Sequence, residues 1–404
     1  INKQVTADGV DFEVSTAYQR LVTELFVLPA LYRRACDLVV SGGYENLLKK
    51  MAGFTAAYSR PDGTIPLWGD ADDGRVLPFA QQPGADAIND HRYLIALIGQ
   101  GFGDSELAAK ASGSKEEVFW TLGPDAAAAM PDAPAPSGSQ IFPDGGAYIM
   151  REGEDHVFID CGPVGMKGRG GHGHNDCLSF DAMLAGVSVI TDCGTYVYSA
   201  DPDWRNDFRS TAFHNTPMID GEEVNRFQNP NFLWTLKNDA IPERRHWQNS
   251  DASDVFVGAH SGYQRLASPV TPVRGIILDK ENHRLLVADS FEGDSHHSVR
   301  IPYHFSPDVG VEETGANQWT LSAAGKKFLL VLNASEHWTA AIGEGWVSPS
   351  YGIKIKASVL NFLSNGALEP LLVGIMPADN AANDPQGWLR KMAKEFPAAK
   401  PPAS

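Results

Sequence analysis

No apolar run in the 404 residues approaches the length of a bilayer-spanning helix, so no membrane span is expected. Cysteine is scarce. Cys36, Cys161, Cys177 and Cys193 are too few for a disulfide scaffold in a chain this long, and they say little about compartment. Positive charge is also short: 33 Lys and Arg stand against 50 Asp and Glu. The resulting net charge of −17 argues against a nucleic-acid binder, because contacts to phosphate need basic surface. Internal repeats are not evident, and the chain opens at Ile1 with neither Met nor signal peptide, so it is expected to be truncated or processed.

What remains is an ordinary globular composition, 43% hydrophobic and 21% charged, at a length that predicts two domains. The first 125 residues read as helical. Ser15 is an N-cap candidate for a helix carrying Leu21, Val22, Leu25, Phe26 and Leu28, which puts Tyr18 in the first turn. There the positive end of the helix dipole favours an ionised phenol; packing beneath a neighbouring helix is the equal alternative. Further helices are expected over Tyr44–Tyr58, Ala87–Ile98, Ser105–Ala111 and Lys115–Thr121. Between the second and third, Asp70, Asp72, Asp73 and Gly74 resemble a calcium loop but lack its distal glutamate. A loop closing a helical hairpin, with Arg75 pairing a carboxylate, is the expected reading. Residues 126–141, biased to Ala, Pro, Gly and Ser, read as a linker. From 142 to 377 the texture becomes short β-type runs such as Ala147–Arg151, Val157–Asp160, Val255–Val257, Gly275–Leu278 and Phe328–Leu332, which predict a large antiparallel sandwich. The Ala/Pro-rich tail, 378–404, is expected to be partly disordered.

The stretch with chemical character is Arg169-Gly-Gly-His172-Gly-His174-Asn175-Asp176. Two imidazoles one residue apart, set among Gly168, Gly170, Gly171 and Gly173, are poor core packing. The glycines permit positive φ and close approach to a ligand. In an extended segment His172 and His174 share a face, serving one site or two adjacent ones. The run Leu184–Ile190 reads as a strand delivering Asp192, and Thr211–Asn215 brings His214. His174, Asp192 and His214 make a plausible zinc set of imidazole nitrogen and carboxylate oxygen. A Gly-rich turn with incidental histidines is the bland alternative. His91, His156, His246, His260 and His283 read as surface or satisfied core groups, while His296, His297 and His304 flank a strand that could face the site.

Four blocks in order, Gly171–Asp176, Ser179–Phe180, Asp192–Tyr196 and Phe208–Asn215, resemble the signature of heparinase II/III-like polysaccharide lyases. The resemblance implies a partial (α/α) toroid of helices followed by the antiparallel β-sandwich, in an α+β multidomain fold. It also implies β-elimination on a uronic-acid polysaccharide and a bacterial, periplasmic or secreted setting. Asp8-Gly9, Glu13, Ser15 and Tyr18 match the family's block whose tyrosine is the catalytic acid or base; Gln19 stands where many relatives carry His. The first histidine of the pair, His172, is then the group facing substrate. The second, His174, holds a Zn2+ with Asp192 and His214, in a role expected to be structural. Arg169, Arg209, Tyr196, Asn175 and Trp204 are the candidate substrate contacts, Trp204 as a stacking platform or a loop anchor. Lys167, Arg169, Arg205 and Arg209 offset the acidic sum locally, since the potential of a cleft outweighs the total. The family's carboxylate-binding Asn would precede Ile1, so the chain as it stands is expected to be weak or inactive. Competing readings are a zinc-dependent glycan hydrolase and a non-catalytic polysaccharide-binding or assembly protein. Oligomeric state and the particular polysaccharide are not encoded in any motif.

Overall fold

A computed structural model describes residues 1–77, 88–111, 115–131, 135 and 137–397. Helix α1 (Thr16–Ala35) starts where expected: the Ser15 hydroxyl accepts the Tyr18 N–H. Ser41 caps α2 (Gly42–Tyr58) in the same way. The helix expected from Ala87 has its start outside the described residues and is seen as α3 (Arg92–Gly101). Val27 and Leu31 of α1, Met51 and Ala52 of α2, and Leu94 and Ile98 of α3 bury their apolar stripes against one another. Three short helices follow: α4 (Ser105–Ala109), α5 (Glu116–Leu122) and α6 (Pro124–Ala128). Arg75 pairs Glu117 across this layer, as the loop reading required.

The rest is antiparallel β-structure. Strands β1 (Gln140–Phe142), β2 (Ala147–Glu152), β3 (Asp155–Asp160), β4 (Phe180–Leu184) and β5 (Val187–Ile190) form a sheet in chain order. A second sheet pairs β6 (Met218–Ile219), β11 (His296–His304), β16 (Ile353–Ala367) and β15 (Trp338–Ser350). Bridges Ile190↔Phe305 and Gly194↔Ser348 join these two at their edges. The third and largest sheet runs β12 (Gly310–Gly315), β13 (Gln318–Ala323), β14 (Lys326–Ala334), β17 (Leu371–Pro377), β10 (Arg284–Glu292), β9 (Thr271–Asp279), β8 (Ser253–His260), β7 (Pro242–Asn249). Ile159 and Leu178 on the first side, Ile301 and Phe362 on the second, and Ile276, Leu285 and Val373 of the third meet in one continuous core.

Two boundaries differ from expectation. The supposed linker already contains the end of α6 and the start of β1, because Ala127 buries itself in the helical core and Phe142 in the seam. The tail is ordered as far as residue 397. Helix α7 (Pro202–Phe208) is local, but α8 (Pro385–Met392), capped by Asp384, buries Leu389 and Met392 against Val331 and Met376. Residues 398–404 lie outside the described residues.

Helices and sheets meet at an aromatic seam of Phe54, Trp68, Phe142 and Phe158. Polar ties cross it: Arg60 to Asp181 at 2.5 Å, Arg151 to the Ser59 carbonyl at 3.0 Å, and the His156 ring to the Ala57 carbonyl at 3.0 Å. The loop following Arg60 is thereby laid across the sandwich, and that loop carries Asp70.

Burial pushes the imidazoles of His156 and His260 down to about 3. Unfolded histidine titrates near 6.5, so below that pH the unfolded chain takes up protons that the folded one refuses. Stability is therefore full above about pH 6.5 and falls toward pH 3, by about 2 kcal/mol per histidine at pH 5. Urea midpoints at pH 7 and 5 check this: His156→Gln should show the shallower pH dependence, and an equal slope would contradict it.

Candidate active site

Asp70 is the centre of the site. Its side chain is wholly buried, and its backbone is held from two sides. The Asp70 N–H donates to the His172 carbonyl at 2.9 Å, and the Ser15 hydroxyl donates to the Asp70 carbonyl at 2.5 Å. Gly69 precedes it with φ +67°; a Cβ there would lie 2.5 Å from the Val14 carbonyl oxygen, so only glycine fits. The two carboxylate oxygens then divide their partners. Oδ2 faces His172 Nδ1 at 3.0 Å, and Oδ1 faces His174 Nε2 at 2.9 Å. Arg205 closes the cluster with a bidentate pair at 2.5 and 2.7 Å. Burial raises the Asp70 carboxyl, but Arg205 and the two imidazole bonds outweigh it and hold it well below the usual carboxylate range.

An ionised Asp70 sets both tautomers, since a carboxylate accepts and the facing nitrogen must donate. His172 carries its proton on Nδ1 and turns Nε2 toward the Glu13 carboxylate, 3.7 Å away. His174 carries its proton on Nε2 and leaves Nδ1 buried without a partner. His214 is arranged alike: Nδ1 donates to Asp192 at 2.7 Å, and Nε2 is buried and unpartnered. The two rings lie 5.2 Å apart. Ligand atoms of His174, Asp176 and His214 fall within 4.8 Å of one another, and so do those of Asp192, Cys193 and His214. Two orphaned imidazole nitrogens beside carboxylates fit a zinc ion, with Asp70 and Asp192 as the acids that orient the rings. The grouping adds Asp176 to the expected set and meets Asp192 through His214. His304, also buried with both ring nitrogens unpartnered, feels Asp192 and His214.

Tyr18 stacks on His172, ring centroids 4.0 Å apart and planes 26° from parallel. Its hydroxyl lies 3.0 Å from Asp72 and 3.4 Å from the hydroxyl of Tyr198. Trp234 closes the other edge, 5.6 Å from His172 and 4.8 Å from Tyr198. The helix dipole does not win here. Burial, with Asp72 adding to it, pushes the Tyr18 phenol up, so it keeps its proton at neutral pH. Gln19 is buried in a bracket to the Asp11 N–H and the Gly9 carbonyl.

Several expected substrate contacts lie elsewhere. Asn175 is spent on Glu223 and on both backbone groups of Asn225. Arg209 is buried, donating to the Phe232, Leu233 and Thr235 carbonyls and to Asn206. Arg205 is consumed by Asp70. Asn175 and Arg209 are packing groups, because their donors are spent on partners inside the protein, whereas Arg205 keeps a buried Nε without a partner. Arg169 remains exposed beside the histidine loop. Tyr196 and Trp204 sit together, in edge-to-face contact at 5.9 Å. The glycines of the loop serve the protein more than a ligand: Gly168 and Gly170 take positive φ, and a Cβ on Gly173 would meet the Val164 carbonyl at 2.3 Å.

Tyr198 and Trp234 were not found from sequence, and Asp70 and Asp72 were singled out there only as members of a calcium-like or hairpin-closing loop near the substrate cleft. Tyr198 had one available signal, its two-residue spacing from Tyr196. Asp70 had none beyond being an acid in a Gly-containing loop.

A helical layer docked on an antiparallel β-sandwich, with a phenol stacked on a carboxylate-held imidazole at their seam, defines the class of protein. The C-terminal region described as heparinase II/III-like matches residues 134–372, and the chain belongs to that family. Heparin-sulfate lyases of Pedobacter heparinus and Bacteroides stercoris are similar, at 20% identity over 377 residues and 21% over 416. They cover 90% and 98% of this chain but 49% and 54% of those proteins, so the chain spans about half the length of the curated relatives it matches. The crystal structure of the heparan sulfate lyase from Pedobacter heparinus shares the fold, with a TM-score of 0.71 at 19% identity over 93% of this chain and 54% of that one.

Removing one partner from a buried charge cluster costs about 3–5 kcal/mol. Asp70→Asn should therefore lower unfolding stability by about 3 kcal/mol in urea titrations at pH 7, leaving Arg205 buried and unpaired. Unchanged stability would contradict the role given to Asp70.

Proposed function

We propose that this chain carries the active site of a polysaccharide lyase that cleaves an acidic, uronic-acid-containing polysaccharide by β-elimination. The observation that carries the reading is the Tyr18–His172 stack with Asp70 behind His172. Elimination breaks the C5–H bond, moves that electron pair into a C4=C5 double bond and expels the oxygen on C4, which needs a proton. A phenol that keeps its proton is the donor for that oxygen, and Tyr18 fits. Where the C5 hydrogen lies on the same side as the leaving oxygen, the Tyr18 hydroxyl gives its own proton to that oxygen and takes the C5 proton in its place, so one phenol serves both ends of the elimination. His172 neutralises the uronate carboxylate once its Nε2 has gained a proton, or, with Nε2 unprotonated, takes the C5 proton in the opposite epimer. Arg169 is placed to add positive charge at the loop. The names of the relatives favour a sulfated glycosaminoglycan over other polyuronates.

Zinc is proposed on His174 Nδ1 and His214 Nε2 with a carboxylate from Asp192 or Asp176. Bound there it ties the histidine loop, the end of β5 and the segment after α7 together, positioning His172 without touching substrate. The helical layer is proposed as part of an (α/α) toroid. Exposed Tyr32, Leu38 and Val39 near the end of α1, with Trp120 on α5, offer the apolar surface that further helices of such a ring would cover.

Two measurements test this. Incubation with heparan sulfate and with alginate should release ultraviolet-absorbing unsaturated uronate, and Tyr18→Phe should cut kcat by about 10²–10⁴-fold while sparing binding; saturated products would point to hydrolysis instead. Metal analysis should find zinc, and chelation should lower Tm by about 3 °C or more, reversed by added zinc. A metal-free chain with an unmoved Tm would remove the zinc proposal.

A further inference from the structure

Three aromatic rings gather around one ammonium beside this site. Lys354 Nζ lies 3.0 Å from the ring centroid of Trp204 and 4.6 Å from those of Tyr196 and Trp346. Trp204 in turn meets Trp346 at 6.1 Å, edge to face. The side chains come from three places, the loop after β5, α7 and the β15–β16 hairpin, and all four are half-buried. Among the described residues no carboxylate is within salt-bridge distance of Lys354; desolvation draws its ammonium below the ordinary lysine value, and Asp201 and Asp207 oppose that only from further off. A surface lysine ordinarily sweeps through many rotamers. Here cation–π attraction from three rings holds the charge in one place, which removes ordering cost from binding an anion.

The cage is continuous with the catalytic centre. The Gly352 N–H donates to the Tyr196 carbonyl at 2.7 Å, and the Tyr198 N–H donates to the Tyr351 hydroxyl at 3.1 Å. The hairpin tip therefore fastens the cage to Tyr198, whose hydroxyl stands 3.4 Å from that of Tyr18. On a chain of net charge −17, a fixed cation flanked by indole faces is an unusual feature of the surface. Resting on the lyase reading above, we propose that Lys354, Trp204, Trp346 and Tyr196 form a distal subsite for an acidic sugar. The ammonium takes its carboxylate or sulfate, and the indoles take its ring face, one or more residues beyond the bond that is cleaved.

The test is calorimetric binding of decasaccharides and disaccharides of heparan sulfate and of alginate to the Tyr18→Phe chain, which binds without turnover. Lys354→Ala and Trp346→Ala should each weaken decasaccharide binding about tenfold and disaccharide binding less than twofold. Lys327→Ala, which removes one exposed positive charge from distant β14, should change neither. The two sugars separate the anions: a loss confined to heparan sulfate assigns sulfate, and a loss on both assigns carboxylate. Equal effects on long and short chains, no effect, or no decasaccharide binding at all would overturn the subsite. Lys354-dependent binding without unsaturated product from the unmodified chain would sink the lyase reading alone.

Discussion

One buried carboxylate holds the active region together. Asp70 comes from the helical layer, yet its partners His172, His174 and Arg205 all come from the β-part. An isolated charge so deep would cost several kcal/mol, and the bidentate arginine with two imidazole donors offsets that cost. The arrangement also has a chemical consequence. By claiming Nδ1 of one histidine and Nε2 of the other, a single acid leaves one lone pair turned toward Glu13 and one buried without a partner beside His214. Two histidines one residue apart are thus given different tasks by which nitrogen is occupied.

Everything around Asp70 serves its placement. Ser15 caps α1 through the Tyr18 N–H and at the same time donates to the Asp70 carbonyl, so the helix start, the phenol and the acid move as one unit. The aromatic seam of Phe54, Trp68 and Phe158 fixes the loop above the first sheet. Stacking of Tyr18 on His172 follows from those two restraints. The site is therefore a property of the interface between the two layers.

Much of this was legible in the sequence where the signal was local. The Ser15 cap, the His172/His174 pair, Asp192 after its strand and His214 were readable from spacing and turn chemistry. Strands buried on both faces, such as β8 and β9, announced themselves as apolar runs. Polar edge strands did not: β7, with Glu243, Arg244 and Arg245, and β12, with Glu312 and Glu313, carry no alternating pattern. Asp384-Pro385 was a helix-start signal lost within an Ala/Pro-rich tail. Asp70 was out of reach because its meaning lies in Arg205, 135 positions away. Arg209 and Asn175 misled for the same reason: polar residues in a functional block were satisfied by distant backbone groups.

The account stands most directly on the proton position of His172. Nitrogen-15 NMR of the imidazole resonances at neutral pH should show His172 as the Nδ1–H tautomer, with Nε2 unprotonated, and that preference should vanish in Asp70→Asn. An Nε2–H tautomer, or one indifferent to Asp70, would contradict it.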